Sequence, residues 1–448
     1  MNKNETLNII REMGVLGAGG AGFPTYKKLD ASVEHIIANG AECEPLLFKD
    51  REIMLRESQR LFDGLQIMKE LSGASKVTIA VKEKNRDVAE RFEKETAKLG
   101  FEWFVYEDVY PAGDEYVLVY ENTGRRIPPG GLPLNVGCIV DNVETIINIA
   151  KAVNENQPVT DKYVTVAGAV NKPQTLLVPV GVSYAECIKM AGGASVNDYA
   201  ALSGGVMMGG LIEDFSQPLS KKVGGIIVLP RDHYLIRRNG ASKETYTRIG
   251  HGQCDQCSLC TEMCPRYILG YPIEPHKVMR NLLMTGEAKQ RVSLWAQYCV
   301  ECNVCTHIAC PEGLDPKNVC VDAKQLLRKN NLSRTEEELK ILFRDVHPLR
   351  KDREAPISRV MQKLDLKRYD KKAPFSHTNE TPESVTIPLD SHIGTPAKAI
   401  VKQGDFVHKN DVIAQVDKTA LGCAAHASID GIIIDISDKY ITINRQGK

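Results

Sequence analysis

Eight of the thirteen cysteines lie between residues 254 and 310, and their spacing constrains this chain more than any other feature. The stretch CDQCSLCTEMCP places Cys254, Cys257, Cys260 and Cys264 in the order C-x2-C-x2-C-x3-C, with Pro265 next. The stretch CVECNVCTHIACP repeats the run with Cys299, Cys302, Cys305 and Cys310, one extra residue before the last cysteine, and Pro311 next. Three thiolates at this interval wrap a [4Fe-4S] cluster, and where the run occurs twice the fourth cysteine of each serves the other cluster, so its distance from its own trio is free to vary. Cys254, Cys257, Cys260 and Cys310 are therefore assigned to one cluster, and Cys299, Cys302, Cys305 and Cys264 to the other. Structural zinc takes two separated C-x2-C pairs around one tetrahedral ion, a poor match for a doubled trio. The odd total and the single placement of Cys43, Cys138, Cys187, Cys320 and Cys423 argue against a disulfide framework.

A chain of 448 residues has room for several cores. Lysine plus arginine equals aspartate plus glutamate, at 57 each, so no overall field draws it to nucleic acid or an anionic membrane. The first residues, MNKNETLNIIREMG, hold no continuous apolar core, so a signal peptide is not expected. No uncharged apolar run reaches the roughly 18 residues of a membrane-spanning helix. A soluble, cytoplasmic protein is expected.

Periodicity predicts a short helix over 5–13, buried strands over 34–39 and 76–81, a helix over 85–99, and a strand running into a helix over 137–153, an α/β pattern. Between 162 and 230 short strands are cut by turns around a helix at 184–191, as in a small mixed domain. Ser333 and Glu336 read as a capping box for a surface helix over 333–346. The polar stretch 370–384 reads as a linker, and the last 60 residues as an all-β sandwich. The single cysteines are expected as small buried fillers. His251 and His307, which flank and interrupt the cysteine runs, are expected on the surface.

The glycines of GVLGAGGAGFPTYKKL raise a second question. Gly17, Gly19 and Gly22 satisfy G-x-G-x-x-G, but a dinucleotide fingerprint follows a buried strand and opens a helix. Here a helix precedes the glycines and Phe23-Pro24 follows them, a pair that disfavours helix at Phe23. What remains is a loop whose bare backbone can approach a flat or anionic ligand, with Lys27 and Lys28 at hand for phosphate.

This loop resembles the G-R-G-G-A-G-F-P-T-x-x-K flavin loop of the complex I 51-kDa family. NGAECEP at 39–45, YPAGDE at 110–115 and NVET at 142–145 resemble that family's other motifs. The resemblance implies FMN held by Gly17, Gly19, Gly20, Gly22, Lys28, Asn39, Glu42, Gly113 and Asn142, with Glu44 and Glu115 as catalytic residues on the nicotinamide side. Ala18 and Ala41 stand where that family has Arg and Asp. Downstream, VTVAGAVNKP through ALSGGVMMGG resembles the soluble-ligand-binding β-grasp domain (SLBB). SHIGTPAKAIVKQGDFVHKNDVI resembles the barrel-sandwich domain of RnfC, a component of the Rnf electron-transport complex. It is placed here at the C-terminal side, as in the cobalamin reductase family of propanediol-utilising microcompartments.

The fold implied is multidomain, α/β and α+β. It comprises an FMN/NADH-binding domain over 1–158, a β-grasp domain over 159–235, a two-[4Fe-4S] ferredoxin-like domain over 236–330, a helical segment and linker over 331–384, and a barrel-sandwich domain over 385–448. The function implied is an NADH-dependent oxidoreductase that passes electrons through FMN and two [4Fe-4S] clusters to a corrinoid. Two other readings stand beside it: an Rnf-like electron-transfer module feeding another anaerobic reductase or a microcompartment, and a non-catalytic electron relay or assembly protein. A redox protein is the other acceptor expected, in the cytoplasm or within a bacterial microcompartment.

Overall fold

The computed structural model describes residues 2–378 and 380–445. Asn379 of the expected linker and the last three residues of the expected 385–448 unit lie outside the described residues.

The N-terminal domain is built on four parallel strands in the order Phe101–Tyr106, Lys76–Lys82, His35–Gly40, Cys138–Asn142. Strands covered on both faces carry apolar residues at consecutive positions, and Ile36, Ile37 and Ala38 are all fully buried. One face, carrying Ile36, Ala38, Val77, Ile79 and Ile139, packs against the helices Ser58–Ser72 and Val143–Glu155. The other face, carrying Ile37, Ala80 and Val140, packs against the helix Glu115–Thr123 and against Cys264, Leu269, Tyr271 and Ile273 of the cysteine segment. The cysteine segment thus completes the N-terminal core.

The expected mixed domain is a six-stranded sheet, in the order Phe375–Ser376, Gln174–Pro179, Asp161–Gly168, Gly225–Pro230, Tyr199–Ser203, Gly210–Leu211. Its helix Tyr184–Met190 opens with a capping box from Ser183 and Glu186. The first strand of that order corrects the linker reading, because Phe375–Ser376 pairs in parallel with Thr175 and Leu176. Phe375 donates its N–H to Glu52 at 3.1 Å and places its ring 4.1 Å beneath the Arg56 guanidinium. The expected linker is pinned across two domains.

The surface helix is shorter than expected, Glu336–Leu342, and its capping box is Thr335 with Glu338 rather than Ser333 with Glu336. Arg334 lies outside the helix, its N–H donating to the Gln297 side chain and its guanidinium lying over Trp295. The C-terminal strands form two small sheets around Val385, Ile387, Ile413, Ile433, Ile441 and Ile443. Arg11, on the first helix, Lys3–Glu12, holds this sandwich by donating to the carbonyls of Asp417, Ala420 and Gly422.

The helices Ser58–Ser72 and Val143–Glu155 cross at Gly64, where an added Cβ would stand 2.2 Å from the Ile146 carbonyl oxygen. Gly64→Ala should destabilise the N-terminal domain by about 1–3 kcal/mol, the usual cost of overpacking, read as a lower urea midpoint. An unchanged midpoint would contradict this crossing.

Candidate functional site

Ligands of open α/β sheets bind beyond the carboxyl ends of the strands, where the strand order reverses. In this sheet that point lies between His35–Gly40 and Cys138–Asn142, whose register pairs Asn39 with Asn142. The glycine loop lies against it: an added Cβ on Gly19 would come 3.3 Å from Asn142 Cβ. The loop closes on itself, as Gly17 donates to the Phe23 carbonyl and Gly22 to that of Gly17. Its tip at Gly20 has φ +114° and open space where a side chain would stand, leaving its backbone free for a ligand. No strand precedes it among the described residues, in keeping with the rejected dinucleotide reading.

Asn39 donates to the Gly113 carbonyl at 3.1 Å, which draws the second motif to the strand end. Lys28 donates to Asp141 at 2.7 Å and to the Val140 carbonyl at 2.9 Å. Glu115 stands half-buried at the start of its helix, its carboxyl raised by burial and by neighbouring Asp114. Asn142 caps the helix Val143–Glu155 by accepting from the Glu144 N–H. Three buried polar atoms beside the loop lack a partner among the described residues: Glu42 Oε2, Asp141 Oδ2 and Thr25 Oγ1. Buried polar groups are normally satisfied, so these atoms fit a hydroxyl-rich ligand such as the ribityl chain of FMN.

Beneath the loop lies a set of buried charges in which Glu42 and Glu144 of the motifs meet two lysines and an aspartate from outside them. Lys49 reaches Asp50, Glu144 and Asn142. Lys162, from the neighbouring domain, reaches Glu144 and the Ala18 carbonyl. Burial lowers Lys162 to about 8. Glu42 is raised to about 7 by burial and by Asp50.

Glu44 is the one expected site residue that turns away. Its two carboxylate oxygens accept from the N–H groups of Met207 and Met208, at 2.9 and 2.8 Å, in the β-grasp domain. Gly205 is tied to this contact, because a Cβ there would meet the Glu44 carboxyl at 2.4 Å.

The cysteines fall into the two crossed groups. Cys254, Cys257, Cys260 and Cys310 line one hollow, and Cys264, Cys299, Cys302 and Cys305 line a second. Among the described residues no three such side chains converge on a single-ion position. Four thiols around a hollow fit a cubane, whose corners stand apart. The two runs share a backbone device: the residues before and after the middle cysteine, Gln256 and Ser258 in one and Glu301 and Asn303 in the other, are all left-handed. The extra residue of the second run is absorbed in a π-type turn over Cys305–Ala309, where Cys310 N–H donates to the Cys305 carbonyl. That turn buries His307, leaving both ring nitrogens unpartnered among the described residues and lowering its pKa to about 4 by desolvation. The surface expectation for His307 is thereby corrected.

The second group abuts the flavin-type site. Arg266, two residues past Cys264, is buried, pairs with Asp114 at 2.8 Å and lies 3.4 Å over the Tyr116 ring. Tyr110 donates its hydroxyl to the Cys302 carbonyl at 2.9 Å. The first group faces outward, with Cys257 exposed.

Family models match in the order the geometry suggests: the Nuo51 FMN-binding domain at residues 10–151, the SLBB domain at 163–210, the 4Fe-4S dicluster domain at 253–315 and the RnfC barrel sandwich hybrid domain at 362–447. Cobalamin reductase PduS of Salmonella typhimurium is 40% identical over 447 residues, 99% of this chain and 97% of the relative. The protein of the same name from Citrobacter freundii is 40% identical over 436 residues, 97% of this chain and 95% of the relative. This chain belongs to the cobalamin reductase PduS family. The C component of the proton-translocating ferredoxin:NAD(+) oxidoreductase complex of Clostridium ljungdahlii is 32% identical over 60% of this chain and 57% of its own. A chain in the crystal structure of an air-oxidized NAD+-reducing [NiFe]-hydrogenase matches with TM-score 0.50 and 21% identity, over 82% of this chain and 66% of its own, a likeness of fold. As a member of the PduS family, the protein is an electron-transfer oxidoreductase with FMN and two [4Fe-4S] clusters. No helix among the described residues is long and apolar enough to cross a membrane.

Two outcomes follow. Cys257→Ser with Cys310→Ser should remove no more iron than Cys257→Ser alone, whereas Cys257→Ser with Cys264→Ser should empty both sites; the reverse pattern would overturn the crossed assignment. Because Glu42 sits above its ordinary value of 4.5, at about 7, its native state favours the protonated form and loses stability as pH rises through that window. The melting temperature of Glu42→Gln should therefore gain on the wild type between pH 5 and pH 8, and a gap that stays constant would contradict the shift.

Proposed function

We propose that the chain oxidises NADH and delivers the electrons singly to the cobalt of a corrinoid. The observation that carries this reading is the joint between the two kinds of site: Gly113 and Asp114 at the strand end, Arg266 on Asp114, and Cys264 two residues from Arg266. Bound FMN supplies the conversion from a two-electron hydride to single electrons. The acceptor is suggested by the name of the relatives, which match nearly the whole chain.

Gly17, Gly19, Gly20, Gly22, Lys28, Asn39, Glu42, Gly113 and Asn142 hold the flavin in this reading, and Glu115 lines the side from which the nicotinamide approaches. Glu44 acts as a positioning residue, holding the β-grasp domain against the strand end. The Cys264, Cys299, Cys302 and Cys305 cluster lies inward. The Cys254, Cys257, Cys260 and Cys310 cluster lies at the surface, with the exposed side chain of Leu259 beside it. The exposed position of this cluster also suits a redox-protein acceptor, met in the cytoplasm or inside a microcompartment.

Under anaerobic conditions NADH should bleach the flavin band, and cob(III)alamin added afterwards should be reduced. No bleaching at saturating NADH would overturn the donor. An unchanged corrinoid spectrum while a redox protein or artificial acceptor is reduced would overturn the acceptor. Cys257→Ser should keep the bleaching and lose acceptor reduction.

A further inference from the structure

Gly22 is gripped by two other domains. Its carbonyl accepts from Ile393 N–H of the sandwich domain at 2.9 Å. A Cβ at Gly22 would stand 2.7 Å from the Ser391 carbonyl oxygen and 2.7 Å from Lys222 Cδ, and its φ of +66° also favours glycine. The stem of Lys222, which belongs to the β-grasp domain, therefore lies across the end of the glycine loop. Its neighbour Lys221 fixes this placement: that buried ammonium donates to the Gly14 carbonyl at 2.9 Å, just before the loop. Lys221 points in, and Lys222 lies over the loop.

Of the two lysines that follow the loop, one is tied to the strand end and the other stands exposed beside a surface acid. Lys28 is held by Asp141 and the Val140 carbonyl, and Lys27 faces Asp30 at 3.9 Å. Lys222 has no ion pair, and its ammonium has no hydrogen bond, among the described residues. The carboxylates also set a direction. At the Asn39 and Asn142 side Asp50, Asp141 and Glu144 are matched by Lys49, Lys28 and Lys162, so the cations there are already spent on carboxylates. The Gly20 to Gly22 side is the end left for a phosphate dianion.

We propose that Lys222 is a phosphate-binding residue, contributed by the β-grasp domain to the glycine loop, and that its partner is the phosphate monoester of FMN. The inference rests on FMN at this loop and adds the residue and the domain that read its phosphate. It gives the β-grasp domain a direct part in cofactor binding.

The test compares FMN with riboflavin, which lacks the phosphate, each titrated into flavin-stripped full-length protein and followed by quenching of flavin fluorescence. Lys222→Gln should weaken FMN binding by about tenfold or more, the loss expected for a charge-assisted hydrogen bond. It should leave riboflavin affinity unchanged, and Lys222→Arg should restore FMN affinity. An equal loss for both flavins would make the effect structural and overturn the proposal, as would unchanged FMN affinity. FMN affinity unchanged with NADH affinity weakened would also overturn it, by moving the contact to the dinucleotide pyrophosphate. Wild-type protein that binds neither flavin would instead defeat the flavin reading itself.

Discussion

The gathering of thiols from both cysteine runs around each of two hollows, Cys310 with the first trio and Cys264 with the second, governs the arrangement of this molecule. A cluster that draws thiols from both runs ties residues 254 and 310 into one body, and the same holds for 264 and 299. Cys264 joins that knot to the N-terminal domain, packed in the same core as Ile37, Ala80 and Val140. Pro265 and Arg266 follow directly, and Arg266 makes a buried ion pair with Asp114. Such a pair adds little stability of its own, but removing one partner leaves an uncompensated charge. Its role is to fix where the cluster body meets the strand end.

The flavin-type site is likewise a product of several domains. Its floor is the reversal point of a parallel sheet, its lid is the glycine loop, and its surroundings come from Lys162 and Lys222 of the β-grasp domain and from Ser391 and Ile393 of the sandwich domain. This explains why a C-terminal sandwich far from the glycines in sequence can complete the assembly. Arg11 and Phe375 serve the same end, each bridging two domains from segments that read as ordinary helix and linker.

Much of the architecture was legible because period and spacing carry it. The two strands over 34–39 and 76–81 and the helix over 85–99 lie within a residue of their expected bounds. The thiols group around two hollows as the doubled run leads one to expect. What was not legible depends on partners remote in sequence. Two overlapping patterns in SRTEEE fit a capping box, and only the contact of Arg334 with Gln297 and Trp295 selects Thr335 over Ser333. Phe375–Ser376 has no strand periodicity, and its pairing comes from the free edge at Gln174–Pro179. Glu44 sits in a motif with Glu42, but a different side-chain direction, and the N–H groups of Met207 and Met208, take it elsewhere. His307 is buried by the inserted residue of the second run, a consequence visible only once the π-type turn is formed. Of the buried set Lys49, Asp50, Glu144 and Lys162, only Glu144 lies in a motif, NVET; burial and pairing define the rest.

The central claim is that both clusters form on crossed cysteines within one body that abuts the flavin-type site. Electron paramagnetic resonance of the dithionite-reduced holoprotein tests it most directly. Two cubanes on so compact a scaffold should give signals broadened by their mutual magnetic coupling, and Arg266→Leu should perturb the cluster that includes Cys264 more than its neighbour. A single uncoupled signal, or a preparation that carries zinc and no iron, would contradict the account.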